Sequence, residues 1–366
     1  MKKIAWWEPV IGKQEYKYIK KVLNSAFPNE GPLTIEFQNK IADLVGAKYA
    51  LAVPNATSAM FLSMKAIGIG PGDEVIVPDL TFIATANAVE MTGARAVLCD
   101  VDPSTLTINI SACEKVITKK TRAIIPVHVS GRGADMKTIL RLSKKYNISV
   151  IEDAAEALMS KKGNKYLGTF GVTGCFSFSP AKIITTGQGG IIVTDDKSIY
   201  KKIVELKDQG RDKRGTGGDD IHTGIGYNFK FTDLQAAVGL GQLTMLSARI
   251  KKMKKNHILY KEKLKDVKEI EILPFDIANE ELPLWTDAVC EQRNALDDFL
   301  KKNGADCRRF WFPIHKQKYY KNYKGNFTNA SLLSPKTLWL PSAFTLTDKD
   351  ILKVIALIKT FYGYKK

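Results

Sequence analysis

The sequence lacks the features of membrane, secreted and zinc proteins. Its 366 residues contain no apolar stretch close to the roughly 20 residues that a membrane-spanning helix requires. The amino-terminal apolar run ends at Glu8, before the hydrophobic region of a secretion signal would develop. The five cysteines are scattered without a Cys-x-x-Cys pair, and the four histidines are equally dispersed. We therefore expect a cytoplasmic protein without disulfides, without a metal and without a membrane partner.

Acidic residues are the scarcer charged type. Only 38 Asp and Glu accompany 55 Lys and Arg, which gives a net charge of +17 at pH 7. Just ten of the basic residues are arginine, however, and no zinc-finger, helix-turn-helix or RNA-binding motif is present. A solvated, lysine-rich surface is therefore favoured over a nucleic-acid partner, although a positive field would also attract small anionic substrates.

Residues 34–195 show alternating patterns of strand and helix. Short apolar runs bounded by turn residues are separated by amphipathic segments, which is typical of βαβ units around a mostly parallel sheet. Such a sheet binds ligands beyond the carboxyl ends of its strands. The predicted strands are Tyr49–Val53, Glu74–Pro78, Ala94–Val101, Ala123–Val129 and Ile148–Ile151.

The alternation weakens after a long helix that the pattern predicts over residues 232–266. Shorter strand and helix signals follow it. We therefore predict a large α/β domain with a mostly parallel sheet at 1–240 and a smaller C-terminal α+β domain at 250–366.

Three polar segments follow strands of the large domain. In the first, Asn55, Ala56, Thr57 and Ser58 open a helix, where free N–H groups and the hydroxyls of Thr57 and Ser58 can bind a phosphate. Capping of the helix by Asn55 or Thr57 explains the same residues. From this segment alone, capping is the favoured interpretation.

The second segment carries the carboxylates Glu152, Asp153 and Glu156 at the end of an apolar strand. Carboxylates at such a depth need a cationic partner, because an unpaired buried charge is costly. Taken alone, the segment is explained equally well by a structural salt bridge and by a functional acid.

The third segment, Cys175–Gly190, contains Lys182 among serines, threonines and glycines. Glycines allow close approach of a ligand to the backbone, and a partly desolvated lysine suits Schiff-base chemistry. Together the three segments describe a pyridoxal phosphate site. The lysine would bind the cofactor, a carboxylate would hold the pyridine nitrogen protonated, and the helix N-terminus would take the phosphate.

At this point the sequence resembles the DegT/DnrJ/EryC1/StrS family of nucleotide-sugar aminotransferases. Its fold is the pyridoxal-phosphate-dependent fold type I, which is aspartate aminotransferase-like. The sequences Glu-Asp-Ala-Ala-Glu-Ala and Thr-Thr-Gly-x-Gly-Gly are most similar to the GDP-perosamine synthase branch. The resemblance runs in order through Gly72–Pro78, Thr81–Ala88, Glu152–Ala157, Ser177–Gly190, Gly226–Ala237 and Phe312–His315.

The resemblance implies a role for each matching residue around the cofactor. Lys182 would be the Schiff-base lysine and proton shuttle, Asp153 the partner of the pyridinium nitrogen, and Phe82 the side chain stacked on the ring. Asn228 would come from a second subunit and complete the phosphate site, so a homodimer with a shared active site is implied. The residues that would hold the phosphate within one chain are Ala56, Thr57 and Ser177.

The implied substrate contacts are Glu156, near the ring hydroxyl or the substrate, Lys230, and His315 in the sugar-nucleotide region. The chain departs from the family pattern in having Ala56 for a common glycine, Met159 for a glycine, Gln188 for an acid, and Lys230 for an arginine. A lysine rather than a histidine at position 182 favours transamination over C3 deoxygenation.

The implied reaction moves an amino group from L-glutamate, through pyridoxamine phosphate, to a 4-keto-6-deoxyhexose on a nucleoside diphosphate. A 3-keto nucleotide sugar is the alternative acceptor. From a different class, a cofactor-binding regulator that contacts nucleic acid is disfavoured, because it would not need the lysine, the carboxylate and the stacking ring together.

Overall fold

The structure, a computed structural model, describes residues 3–211 and 220–364. Up to residue 243 its helices and strands alternate, as the periodicity predicts. They are α1 (Lys13–Ser25), α2 (Pro32–Val45), β1 (Tyr49–Val53), α3 (Ala56–Ala66), β2 (Glu74–Pro78), α4 (Ala84–Met91), β3 (Arg95–Cys99), α5 (Ile110–Lys115), β4 (Thr121–Ile124), α6 (Met136–Tyr146), β5 (Ser149–Asp153), β6 (Lys161–Lys162), β7 (Lys165–Tyr166), β8 (Thr173–Ser177), β9 (Gly190–Thr194), α7 (Lys197–Lys207) and α8 (Asp233–Leu243).

Seven of these strands form the larger sheet, in the spatial order β1-β9-β8-β5-β4-β2-β3. Only β9 runs antiparallel to its neighbours, so the expectation of a large, mostly parallel sheet is confirmed. The strands are apolar along nearly their whole length because helices cover both faces of the sheet. Strands β6 and β7 form a separate two-stranded hairpin.

The prediction of a single long helix over residues 232–266 is wrong in one respect: this range contains two helices. α8 ends at Leu243, and α9 (Leu246–Leu264) begins two residues after Thr244. The N–H groups of Thr244 and Met245 donate to carbonyls three residues back, at Gly241 and Gln242, rather than four. This tighter turn redirects the chain just after Gly241, with no proline at the break.

The remaining elements form the second sheet and its helices. Four antiparallel strands lie in the order β10-β11-β13-β12 and pack against helices on one side. The elements are β10 (Ile270–Ile272), β11 (Thr286–Cys290), α10 (Arg293–Lys302), β12 (Arg308–Arg309), α11 (Thr328–Leu333), β13 (Thr337–Leu340) and α12 (Asp348–Phe361).

The amino-terminal residues belong spatially to the second sheet. Ile4 exchanges backbone hydrogen bonds with Gly304 and Asp306, at 2.8 and 2.9 Å, and its side chain is buried in the core of that region. The chain then crosses to the larger sheet through α1, which packs on α8. The division into domains at 1–240 and 250–366 stays a prediction.

No helix in residues 3–211 and 220–364 combines the length and the apolar character needed to cross a membrane.

Candidate active site

The carboxyl ends of the parallel strands meet at one edge of the larger sheet, as its topology requires. A cavity of about 250 Å³ opens there, between this edge and the second sheet. Seven of the ten predicted site residues line it. They are Ala56, Thr57, Phe82, Asp153, Glu156, Ser177 and Lys182.

The first predicted segment forms the N-terminus of α3, which faces the cavity. The Oδ1 atom of Asn55 accepts hydrogen bonds from the N–H of Ser58, at 2.8 Å, and from its hydroxyl, at 3.0 Å. The predicted capping by Asn55 is thus confirmed. The Ser58 hydroxyl, a candidate phosphate ligand, donates to the same Asn55 oxygen. Ala56 and Thr57 line the cavity, and free N–H groups at a helix N-terminus favour an anion.

Gly190, at the start of β9, lies directly against this helix terminus. A Cβ atom added there would be 2.4 Å from the carbonyl carbon of Asn55 and 2.6 Å from the nitrogen of Ala56. Only glycine therefore allows β9 to pack so closely beneath the helix N-terminus. The glycine-rich turn therefore packs against the end of the cavity that Asn55 and Ala56 line.

The three carboxylates of the second segment divide into two groups. Successive side chains of a strand point to opposite faces, so Glu152 faces away from Asp153. Fully buried, Glu152 accepts N–H groups from Gly168, Phe170 and Gly171 at 2.5–2.8 Å. It also bonds Nε2 of His128 at 2.9 Å. The structural interpretation therefore holds for Glu152.

Asp153 lies at the end of β5 and lines the cavity. Its Oδ2 atom accepts a hydrogen bond from the Thr85 hydroxyl at 2.7 Å, and Oδ1 accepts the N–H of Ala155 at 3.1 Å. Burial raises the pKa of Asp153, while these two hydrogen bonds and the charges of Lys182 and His128 oppose the rise. A cationic ligand group against this carboxylate would compensate its lost solvation.

Glu156 and Lys182 form an ion pair across the cavity, with Lys182 Nζ 3.3 Å from Glu156 Oε1. The other oxygen of Glu156 accepts the N–H of Ser130 at 2.8 Å. Burial raises the pKa of Glu156, and the charge of Lys182 opposes that rise. The lysine side chain is only 11% exposed, so its amine is held inside the cavity rather than in solvent.

Phe82 forms part of the cavity wall. Its ring is 52% exposed, which is high for a large apolar side chain and leaves a face open to the cavity. This placement fits the predicted stacking role, which stays a prediction.

The second sheet contributes residues that sequence reasoning missed. Trp285, Arg308 and Trp311 line the cavity from that side. The Arg308 guanidinium lies 5.0 Å from the ring centroid of Trp6 and 5.2 Å from that of Trp339, and burial lowers its pKa. No local motif surrounds these residues. The only signal in the sequence that could have suggested a role for them is the presence of two tryptophans in this part of the chain.

The other three predicted residues do not line this cavity. The Lys230 ammonium is 3.1 Å from Asp208, and Asn228 is exposed beside it. His315 is held by Asp79, with Nδ1 2.6 Å from Oδ2, and stacks on Phe327. The substrate-binding roles of Lys230 and His315, and the phosphate-binding role of Asn228, therefore stay predictions.

Comparison with known proteins defines the class. Residues 9–359 match the model of the DegT/DnrJ/EryC1/StrS aminotransferase family. GDP-perosamine synthase of Escherichia coli O157:H7 is 34% identical over 370 residues, which cover 100% of both chains. The chain belongs to the DegT/DnrJ/EryC1/StrS family, as its motifs predict.

Two solved structures extend the comparison to the fold. A DegT DnrJ EryC1 StrS aminotransferase from Brucella abortus has a TM-score of 0.89 and 30% identity, covering 96% of this chain and 95% of that one. S. venezuelae DesV, solved with a ketimine intermediate, has a TM-score of 0.90 and 27% identity, covering 96% and 95%. The predicted fold type I architecture is confirmed, and the chain is a sugar aminotransferase that uses pyridoxal phosphate.

The cavity of this chain suits that cofactor. It combines a lysine amine, a buried carboxylate whose pKa burial raises, and a helix N-terminus with a hydroxyl. These are the groups that a phosphorylated pyridine aldehyde requires.

Proposed function

We propose that this aminotransferase converts a nucleoside-diphosphate 4-keto-6-deoxyhexose into the corresponding 4-amino sugar, with L-glutamate as the amino donor. The observation that carries the proposal is the end-to-end likeness to GDP-perosamine synthase, in a chain whose cavity is lined by Lys182, Asp153 and Glu156. The cytoplasmic location stays a prediction.

Pyridoxal phosphate, when bound, would supply an aldehyde carbon that carries the amino group from donor to sugar, and a ring that accepts electrons during the transfer. Lys182 would hold the cofactor and move protons through its Nζ atom, first from Cα of the donor and finally to the product. Asp153 would keep the pyridine nitrogen protonated. Its depth in the cavity makes this contact strong, because little water competes for it.

The phosphate group of the cofactor would lie at the N-terminus of α3. Backbone N–H groups of Ala56 and Thr57 and the hydroxyls of Thr57 and Ser177 would bind it. Phe82 would cover one face of the ring. Arg308 gives the open side of the cavity a positive charge, which suits both glutamate and a nucleoside diphosphate.

The first test is the visible absorption of the protein loaded with pyridoxal phosphate, recorded before and after L-glutamate is added. We expect a band from the cofactor bound at Lys182, and its bleaching when glutamate transfers its amino group. A band that glutamate leaves unchanged would show that the donor is wrong. No band at all would contradict the role of Lys182.

A panel of 3-keto and 4-keto nucleotide sugars, each on GDP, dTDP and UDP, tests the acceptor. We expect the glutamate-bleached protein to recover its visible band with a 4-keto-6-deoxyhexose. Recovery with the 3-keto sugars alone would replace C4 by C3 amination. The panel also identifies the nucleotide. A few polar contacts to the base are worth a few kcal/mol, which appears as a difference in rate between the GDP, dTDP and UDP sugars.

The active unit is proposed to be a homodimer in which Asn228 reaches the partner's phosphate site. Two observations support a partner chain. Asn228 is exposed and does not line the cavity of its own chain. Large apolar side chains are exposed close to it in the sequence, at Ile221 and Ile225, and others are exposed on or just after α1, at Tyr16, Leu23 and Phe27.

Mixing two inactive variants tests the shared site. A dimer of Lys182→Ala with Asn228→Ala contains one intact site if Asn228 acts on the partner chain, and none if it acts on its own. Equal mixing should restore about a quarter of wild-type activity, because half of the dimers are mixed and each has one good site. No recovery after confirmed subunit exchange would contradict the proposal.

A further inference from the structure

The Lys182 amine occupies a defined position between two side chains from different parts of the fold. Its Nζ atom is 3.3 Å from Glu156 Oε1 and 4.7 Å from the ring centroid of Trp285. The carboxylate follows strand β5 of the larger sheet, whereas the indole precedes strand β11 of the second sheet. Both flanking side chains are buried, at 8% and 3% exposure.

We propose that Glu156 and Trp285 form a resting site for the Lys182 amine, which holds it whenever it is not bonded to the cofactor. Trp285 is then a positioning residue, which acts on the cofactor and substrates only through the lysine. The proposal rests on the proposed function in one respect, that Lys182 alternates between a bonded and a free state.

The two sides of the resting site are tied to the same residue. Ser130 donates its N–H to Glu156 Oε2 at 2.8 Å, and its carbonyl accepts the N–H of Leu284, the neighbour of Trp285, at 2.9 Å. Ser130 has a φ of 54°, a left-handed conformation that is uncommon for a residue other than glycine. This turn fixes the distance between the carboxylate and the indole.

Further contacts hold Trp285 and Ser130 from behind. The Trp285 ring packs against those of Trp6 and Trp339, at centroid distances of 5.5 and 4.7 Å. One oxygen of Asp287 accepts both the Ser130 hydroxyl and the Trp339 indole N–H, at 2.7 Å each. The other oxygen lies 3.0 Å from Arg132. The resting site is therefore backed by packed aromatic rings and by buried hydrogen bonds around Asp287.

Such a site has a physical purpose in an enzyme that frees its lysine once in every cycle. A released lysine side chain can adopt many rotamers, and recovering the reactive one costs conformational entropy. The carboxylate and the indole face both favour an ammonium at one position. The amine consequently stays next to the cofactor position between the two half-reactions.

The test measures the reactivity of the Lys182 amine rather than enzyme turnover. The full-length protein, first without cofactor and then loaded with pyridoxamine phosphate, is treated with a trace of acetic anhydride at constant pH. Acetylation of Lys182 is followed by mass spectrometry relative to the exposed Lys202. Loss of the indole in Trp285→Leu should raise the relative rate roughly 3- to 10-fold, whereas Trp285→Phe, which keeps an aromatic face, should raise it less than about 2-fold.

Trp311→Leu is the matched control for simple opening of the cavity. Trp311 lines the same cavity and loses the same atoms, but no cation–π contact joins it to Lys182 among the described residues. An equal rise in Trp311→Leu and Trp285→Leu would mean that access alone changed, which would overturn the proposal. An unchanged rate in Trp285→Leu would overturn it as well.

Glu156→Gln provides the second arm, since it keeps the shape of the side chain and removes its charge. It should also raise the rate, and it decides the proposal if Trp285→Leu fails to fold. None of these rates depends on the donor or the sugar. A failure of the proposed substrates therefore leaves the resting site testable, and a failure of the resting site leaves the proposed reaction intact.

Discussion

The two walls of the active-site cavity are built in different ways. The larger sheet supplies Asp153, Ser177 and the N-terminus of α3, all of which lie at strand ends or in the loops that follow them. The second sheet supplies Trp285, Arg308 and Trp311, which stand in no recognisable motif. The first wall carries groups that would react or bind charge, and the second mainly encloses them.

The difference shows that the reactive groups and the enclosing side chains of this cavity come from different parts of the fold. Groups for the cofactor must meet at fixed distances, and the carboxyl edge of a parallel sheet delivers several of them together. The enclosing wall needs only bulk, an aromatic face and one positive charge. Substitutions in the first wall, in the groups buried behind it and in the helix cap beside it test this difference.

The largest effect should come from the reactive wall. Lys182→Ala should lose the visible band of bound cofactor and all measurable turnover, because no other amine lines the cavity among the described residues. Steady-state assays and absorption spectra measure both. Lys202→Ala, on the exposed face of α7, is the matched control, and residual turnover in Lys182→Ala would contradict the assignment.

Asp153→Asn should reduce turnover by roughly 10³-fold, since an amide cannot hold the pyridine nitrogen protonated. The same variant should be more stable than the wild-type protein without cofactor at pH 7, because burial raises the pKa of Asp153 and its charge is costly there.

The pH dependence follows from the sign of that shift. A carboxyl group whose pKa is raised by folding destabilises the folded state above its folded pKa and has no effect well below its unfolded value of 3.8. The stability advantage of Asp153→Asn should therefore shrink as the pH falls towards 4. Thermal melts across this range measure it, and a variant less stable than wild type at pH 7 would refute the explanation.

Glu152→Gln should mainly affect folding, in contrast to its neighbour Asp153. An amide would place an NH₂ group against backbone N–H donors that now bind a carboxylate, which should cost about 3 kcal/mol. Urea unfolding measures this loss, and turnover per folded molecule should fall far less than in Asp153→Asn. Glu36→Gln, on the solvent-facing side of α2, is the control, with a change of less than about 0.5 kcal/mol.

The smallest effect should come from the cap of α3. Asn55→Ala removes the acceptor for the N–H of Ser58 and should cost about 1 kcal/mol. Asn55→Ser, which can still cap the helix, should lose only a few tenths of a kcal/mol. If both variants melted together with the wild type, the cap would contribute nothing to stability.

Local sequence was informative where one element fixes a residue's position. The strands Tyr49–Val53 and Glu74–Pro78 have the predicted bounds, and Asn55 caps α3 as its position before the helix suggests. The break between α8 and α9 was missed, because it depends on a change of hydrogen-bond spacing that ordinary helix formers allow.

The carboxylates Glu152, Asp153 and Glu156 show the same limit within a single segment. All three could be recognised as buried acids, but their different partners could not be predicted. Glu152 bonds backbone N–H groups of a loop about 16 residues further on, and Glu156 bonds Ser130 from an earlier turn. Those contacts depend on how the loops cross, and no local pattern encodes the crossing.

The sequence by itself determined the family, the cofactor, the parallel sheet and seven residues of the cavity, because motifs at strand ends stay together wherever the fold forms. Only the tertiary structure decided that Glu152 is structural, that Trp285 covers the lysine, and that His315 is held by Asp79. Each of these depends on contacts between distant segments, whose energies arise from burial and geometry rather than from neighbouring residues.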